Sequence, residues 1–200
     1  CVIAFFAIIA GWKIKRVAPT HNPGPMRPSL WIQHFFHLGD LLRERRLRLT
    51  ALGISYFWFA GGLLFLITIQ VAGEVVEFKA AKAEVNGFMM AHAGLGIAMG
   101  SILVAMMSPN RIELGMVPVG GLGMAITAIA VAALQPTEAF FSWFNGNLFL
   151  LGTFSAMFLV PLNALLQDMV PPENRGRMLS ASALLDSVAG LVAIAVQYAF

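Results

Sequence analysis

The chain has 200 residues, 58% of them hydrophobic and 12% charged, with a formal net charge of +3. Soluble domains average roughly 45–50% apolar and 25% charged residues, and a mean hydropathy of +0.78 is more than a water-facing surface can carry. The composition excludes a soluble globular domain and places the chain in a bilayer.

The first apolar run, Val2 to Trp12, reaches ~17 Å at ~1.5 Å per residue, short of the ~30 Å hydrocarbon layer. It lacks the basic n-region and small-residue cleavage site of a signal peptide. It reads as the tail of a helix cut by the fragment boundary. At the other end Phe200 stops inside an apolar run, so the sequence reads as part of a larger protein. Cys1 is the single cysteine, which leaves no internal disulfide framework and no cysteine-based metal site.

Residues 13–48 read as a polar connection. His21 to Pro28 contains Pro23, Pro25, Pro28 and Gly24, an irregular linker. After Ser29, Trp31, Phe35, Leu38 and Leu42 fall at helical spacing, and Arg43, Arg45, Arg46 and Arg48 cluster behind them. That is the pattern of a basic amphipathic helix lying in a headgroup layer. An ordinary juxtamembrane linker and a lipid-regulated switch both fit it.

Five long apolar segments follow, about 49–72, 85–107, 112–134, 140–166 and 178–200. Each is long enough to cross, and none shows the two-residue alternation of a barrel strand. The fold class is all-α integral membrane. With the truncated run as crossing a, the others are crossings b to f. Eleven of the thirteen Lys and Arg residues fall in the a–b, c–d and e–f loops, against Lys79 and Lys82 alone in the other two. The positive-inside rule then places loops 13–48, 108–111 and 167–177 in the cytoplasm.

Crossing b carries Tyr56 to Phe59 and then Gly61-Gly62, a place for close packing or a bend. Crossing c carries Gly96 and Gly100, a small-xxx-small packing surface. It also carries His92, either an interhelical hydrogen-bond partner or a titrating group on a substrate or proton path. The c–d loop is short and holds Arg111 and Glu113, which can pair with neighbouring loops or helix ends. Crossing d has Pro118, Gly120, Gly121 and Gly123, suited to a bent and closely packed helix. Crossing e opens on Trp143, Asn145, Gly146 and Asn147, an aromatic anchor with polar groups near the outer face, and closes on Pro161 and Asn163.

Asp186 is the most informative single residue. It lies eight positions past Met178, ~12 Å into the membrane. An ionised carboxylate at the centre of a crossing costs ~2.5–3.5 kcal/mol even on the lenient scale. It must face a cavity, pair, or stay protonated. It is therefore a proton or headgroup contact on a transport path, or a neutral acid bonded to a neighbouring helix. Asp168, at the C-terminal end of crossing e, opposes the helix dipole and calls for a cation, with Arg175 and Arg177 across the Pro171-Pro172 break as candidates. Such a cluster can latch a gate, or it is a solvated surface pair worth at most ~1 kcal/mol. No nucleotide loop, zinc-protease helix or nucleophile elbow occurs. No metal site or cofactor is expected, and the basic residues flank the membrane rather than forming a nucleic-acid surface.

The stretch Val160-Pro-Leu-Asn-Ala-Leu-Leu-Gln167, followed by Pro172-Glu-Asn-Arg175-Gly-Arg177, resembles the loop between helices ten and eleven of the major facilitator superfamily. Leu52-Gly-Ile-Ser-Tyr-Phe-Trp-Phe59, Gly94-Leu-Gly-Ile-Ala-Met-Gly100 and Arg111-Ile-Glu-Leu-Gly-Met-Val-Pro118 resemble its lysophospholipid-transporter branch. That branch is often fused in bacteria to an acyltransferase and an acyl-carrier-protein synthetase. The resemblance implies that residues 1–12 end helix six and that 13–48 link the two halves. Residues 49–200 then form helices seven to eleven, most of the C-terminal six-helix half. It implies a bacterial inner-membrane protein that moves lysophospholipid for reacylation by rocking its halves about a central site. Arg111 and Glu113 match the helix eight–nine loop, and Arg175 and Arg177 the ten–eleven loop, as cytoplasmic gate contacts with Asp168. Asp186, His92 and Asn163 are the pathway candidates; at Asp186 the branch more often shows an amide. The expected partners are membrane lipid, a lysophospholipid or other amphipathic substrate, and a fused or associated acyltransferase. The His-x-x-x-x-Asp pair of acyltransferases is absent, so such an activity belongs outside this fragment. Export of a small hydrophobic compound is the alternative within transport.

Overall fold

A computed structural model describes residues 11–12, 30–75, 79–109, 111–133 and 140–199. The expectations for residues 1–10 and for the proline-rich stretch 13–29 lie outside the described residues. The chain forms two compact units, Cys1–Trp31 and Ile32–Phe200. In the first, Gly11 and Trp12 are helical; the second holds the bundle.

Six helices follow one another, and no strand occurs among the described residues. They are α1 Leu30–Arg43, α2 Arg45–Val75, α3 Lys79–Met107, α4 Met116–Ala133, α5 Phe140–Met169 and α6 Arg175–Ala199. Four stretches are long and apolar enough to cross a membrane: Arg45–Val71, Ala83–Met107, Ser142–Met169 and Arg175–Ala199. Helix α4 has 18 residues, ~27 Å of rise, because its apolar segment does not become helical at Ile112. Residues 111–115 form a turn instead, in which Met116 N donates to Glu113 O at 3.3 Å and Val117 N to Leu114 O at 3.1 Å.

The directions of the helices follow from which residues meet. Gly96 of α3 lies against Phe149 and Thr153 of α5, and Gly100 against Thr153 and Ala156. The order rises on both helices, so α3 and α5 run parallel. Gly120 and Gly121 of α4 meet Phe158, while the atoms nearest Gly123 belong to Phe154, so α4 runs antiparallel to α5. Alternate crossing of a bilayer requires this arrangement. The α3–α5 approach is close enough that a Cβ on Gly96 or Gly152 would overlap the backbone carbonyls of Phe149 or Ala93. In lipid, such backbone proximity is a main source of helix association.

Helix α5 is central, touching α2, α3, α4 and α6. It keeps Pro161 buried within its length, a position where a backbone hydrogen bond is lost. Two apolar clusters hold the bundle. One unites Leu41 of α1, Leu47, Ala51 and Ile54 of α2, and Leu162, Leu166 and Val170, with Val117 and Met178 packed beside them. This gathers the α1–α2 junction, the start of α4 and the α5–α6 turn at one end, so the described arginines 43, 45, 46, 48, 111, 175 and 177 sit there together. The other joins Met89 of α3 to Phe144 and Leu148 of α5. Hydroxyls within the helices turn back on their own backbones, as Thr127 Oγ1 does to Gly123 O at 2.8 Å and Ser101 Oγ to Ile97 O at 2.8 Å. Such bonds satisfy polar groups where lipid offers no partner.

Candidate functional site

The seam between α2 and α6 carries the membrane-embedded acid. Ser55 Oγ donates to Asp186 Oδ1 at 2.8 Å. The serine is 7% exposed and the aspartate half-buried. A hydroxyl donor suits a carboxylate oxygen and equally the carbonyl oxygen of a neutral acid, so this geometry accommodates both protonation states. Further along, Gly62 faces α6 with Ala193 Cβ 3.1 Å and Gly190 Cα 4.0 Å from where its own Cβ would stand. Gln197 Nε2 then donates to Gln70 Oε1 at 3.4 Å. The pairs 55–186, 62–193 and 70–197 rise together, so α2 and α6 are parallel, with a polar contact on either side of a small-residue crossing.

On another face of α2 opens an apolar cleft of about 290 Å³ between α2, α4 and α5. Tyr56, Ala60 and Leu64 meet Met124, Leu151 and Ser155 there. Its volume is at the lower end of the range for small-molecule sites. Each methylene sheltered from water in such a cleft contributes ~0.8 kcal/mol. Acyl chains and other hydrocarbon tails suit it chemically.

At the arginine-rich end, Arg111 and Glu113 line a cleft of about 360 Å³ with Ser101, Ser108, Val160 and Pro161. Both charged side chains are exposed, and neither forms an ion pair with a described residue. The expected Asp168 latch is not formed. Among the described residues, the ion pair present is Arg43 with Asp40 at 4.0 Å within α1. Asp168 stands exposed in the last turn of α5, while Arg175 is half-buried at the start of α6 beyond the Pro171–Asn174 turn. Proximity in sequence put these charges together. The turn separates them, and water solvates the carboxylate at least as well as a screened surface pair does.

The pathway candidates do not converge. Asp186 bonds Ser55 on α2, His92 bonds its own helix through Nδ1 and Phe88 O at 2.9 Å, and Asn163 Nδ2 donates to Leu159 O at 3.3 Å. Of the two readings of His92, the interhelical hydrogen bond is therefore replaced by an intrahelical one. Ser55 and the Gln70–Gln197 pair were not identifiable as site residues from the sequence. Their only signal is polarity inside an apolar run, and their partners lie 131 and 127 residues away.

A family model described as Major Facilitator Superfamily matches residues 1–194. The lysophospholipid transporter LplT of Serratia proteamaculans is 31% identical over 173 residues, covering 84% of this chain and 41% of that protein. The lysophospholipid transporter LplT of Klebsiella pneumoniae is 31% identical over 165 residues, covering 81% of this chain and 39% of its own length. The chain thus spans about two-fifths of the curated relatives it matches. No solved structure matches it.

Proposed function

The chain belongs to the major facilitator superfamily, and on that premise we propose that it forms part of a transporter moving lysophospholipid across the bacterial inner membrane by alternating access. The observation that carries the substrate is the 31% identity to two lysophospholipid transporters over more than four-fifths of the chain. The apolar cleft beside α2 supports it, since an acyl chain needs hydrocarbon walls with few fixed charges. Loops 13–48, 108–111 and 167–177 face the cytoplasm in this reading, because they carry eleven of the thirteen Lys and Arg residues.

Asp186 is the polar contact on the transport path, held by Ser55 on the parallel helix α2. Arg111, Glu113, Arg175 and Arg177 are cytoplasmic gate contacts. They form no ion pair with one another, which leaves them available to the other half of the transporter. Rocking of two halves about a midplane site is the mechanism that such folds support. A fused or associated acyltransferase would consume the delivered lipid. The test is uptake of labelled lysophosphatidylethanolamine by cells with and without the protein. Equal uptake in both sinks the lipid reading and favours export of a small hydrophobic compound, measured next as efflux of a lipophilic dye.

A further inference from the structure

His92 stands apart from the α2–α6 seam. It lines a cleft of about 520 Å³ between α3 and α5 with Phe88, Ser142, Asn145, Gly146 and Phe149. Phe88 and His92 are one turn apart on α3, and Ser142, Asn145, Gly146 and Phe149 follow at i, i+3, i+4 and i+7 on α5, so each helix contributes one face. Toward the middle of the bundle the helices are drawn together, where Gly152 lies against Ala93 and Gly96 against Phe149 and Thr153. The cleft is thus the opening above a closed glycine seam, at the end of the bundle opposite the described arginines.

Its chemistry has a definite sign. The Phe88 carbonyl can only accept, so His92 Nδ1 carries the hydrogen of that 2.9 Å bond and the neutral ring keeps its lone pair on Nε2. The Phe88 and His92 rings form a T-shaped pair with 4.5 Å between centroids. Ser142 contributes an exposed hydroxyl, Phe88 and Phe149 contribute aromatic rings, and Asn145, 5% exposed, borders the cleft. Among the described residues, no lysine, arginine or carboxylate lines the cleft. Lone pairs and aromatic faces without a fixed positive charge favour a cation, most of all an ammonium group that can both donate hydrogen bonds and sit against a ring. The Ser142 hydroxyl and the Asn145 amide can also donate, but no cationic side chain among the described residues stands in the cleft to balance a bare phosphate.

We propose that this cleft is a head-group subsite that takes the ammonium end of an amphipathic substrate, an inference that rests on the lysophospholipid reading above. It makes the protein select between lysophospholipids by head group at the end of the bundle opposite the arginines. Gly146 offers the cleanest perturbation, because nothing lies within 4 Å of a Cβ placed there. A larger side chain at that position fills the cleft without touching the α3–α5 seam, and it replaces glycine with a better helix former.

The experiment measures transport of lysophosphatidylethanolamine and of lysophosphatidylglycerol, which lacks the ammonium, by the full chain in vesicles. Gly146→Met and His92→Leu are compared with the unmodified protein, each checked for folding by its melting temperature. The expected result is a rise in the ratio of apparent KM for the ethanolamine lipid over the glycerol lipid of about tenfold in both variants. His92→Gln, which restores a side-chain acceptor, recovers part of the selectivity. A ratio unchanged in both folded variants overturns the subsite while leaving the transport reading intact. An unmodified protein that moves neither lipid overturns the transport reading and the subsite with it.

Discussion

Replacing the two partners of the α2–α6 hydrogen bond, singly and together, separates structure from transport at Asp186. Ser55→Ala removes the donor 2.8 Å from Oδ1 and leaves a half-buried acid in the membrane without that partner. An unsatisfied buried polar group costs ~1–3 kcal/mol, so Ser55→Ala lowers stability by an amount in that range. Asp186→Asn behaves differently. The amide oxygen still accepts from Ser55, while the cost of a charge in the membrane, ~2.5–3.5 kcal/mol at its centre, disappears. The Asn variant therefore melts at or above the temperature of the parent. Asp186→Ala frees the serine hydroxyl to bond its own helix backbone, as Thr50 does to Arg46 O at 3.0 Å, and costs less than Ser55→Ala. A double-mutant cycle on Ser55→Ala and Asp186→Ala, read by thermal unfolding in detergent, gives a coupling of about 1–2 kcal/mol. A coupling near zero refutes the hydrogen bond. In the transport assay Asp186→Asn loses activity despite its stability, because the charge or proton is gone. Transport by that variant at the parental rate refutes a role for the carboxylate beyond holding α2 to α6.

Gly152→Leu forces α5 away from the Ala93 carbonyl of α3 and destabilises by at least the ~1–3 kcal/mol of an overpacked core; Gly146→Ala, with open space around it, leaves the melting temperature unchanged or slightly raised. Arg111→Ala changes stability by less than ~0.5 kcal/mol, as expected for an exposed side chain with no ion pair among the described residues, yet slows transport; equal rates remove Arg111 from the gate. Leu41→Ala hollows the apolar cluster that docks α1 on α2 and α5. It costs about 2–5 kcal/mol and is read as faster amide hydrogen exchange over α1 than over α3.

The crossings were readable because length and hydropathy are local properties. Their ends were not, and α4 shows why. Ile112 and Leu114 are apolar enough to extend a segment, but Glu113 and Leu114 carbonyls close a turn there, and the helix waits until Met116. Gly96 and Gly100 announced a packing surface, since small residues four apart have few other uses in a membrane helix. That Phe149, Gly152 and Thr153 lie against it depends on tertiary placement. Asp186 was conspicuous by the cost of its charge, whereas Ser55 sat unremarked beside Tyr56, Phe57 and Trp58. The ion pair expected of Asp168 is missing for the opposite reason. Sequence neighbours were expected to meet, but Asp168 is exposed at the end of α5 and forms no ion pair with Arg175 or Arg177. At His92 the sequence offered a titrating group or an interhelical bond. The Phe88 carbonyl one turn away engages one ring nitrogen and leaves the other for the cleft.

The most direct test of the account reconstitutes the full chain in vesicles with a fluorescent lysophosphatidylethanolamine and follows how much of it becomes protected from a membrane-impermeant quencher. A protected fraction that grows with time in vesicles holding the protein, and much more slowly in vesicles holding the Asp186→Asn variant, is the predicted result. Protection that grows at the same rate in protein-free vesicles contradicts the proposal that this chain forms part of a lysophospholipid transporter.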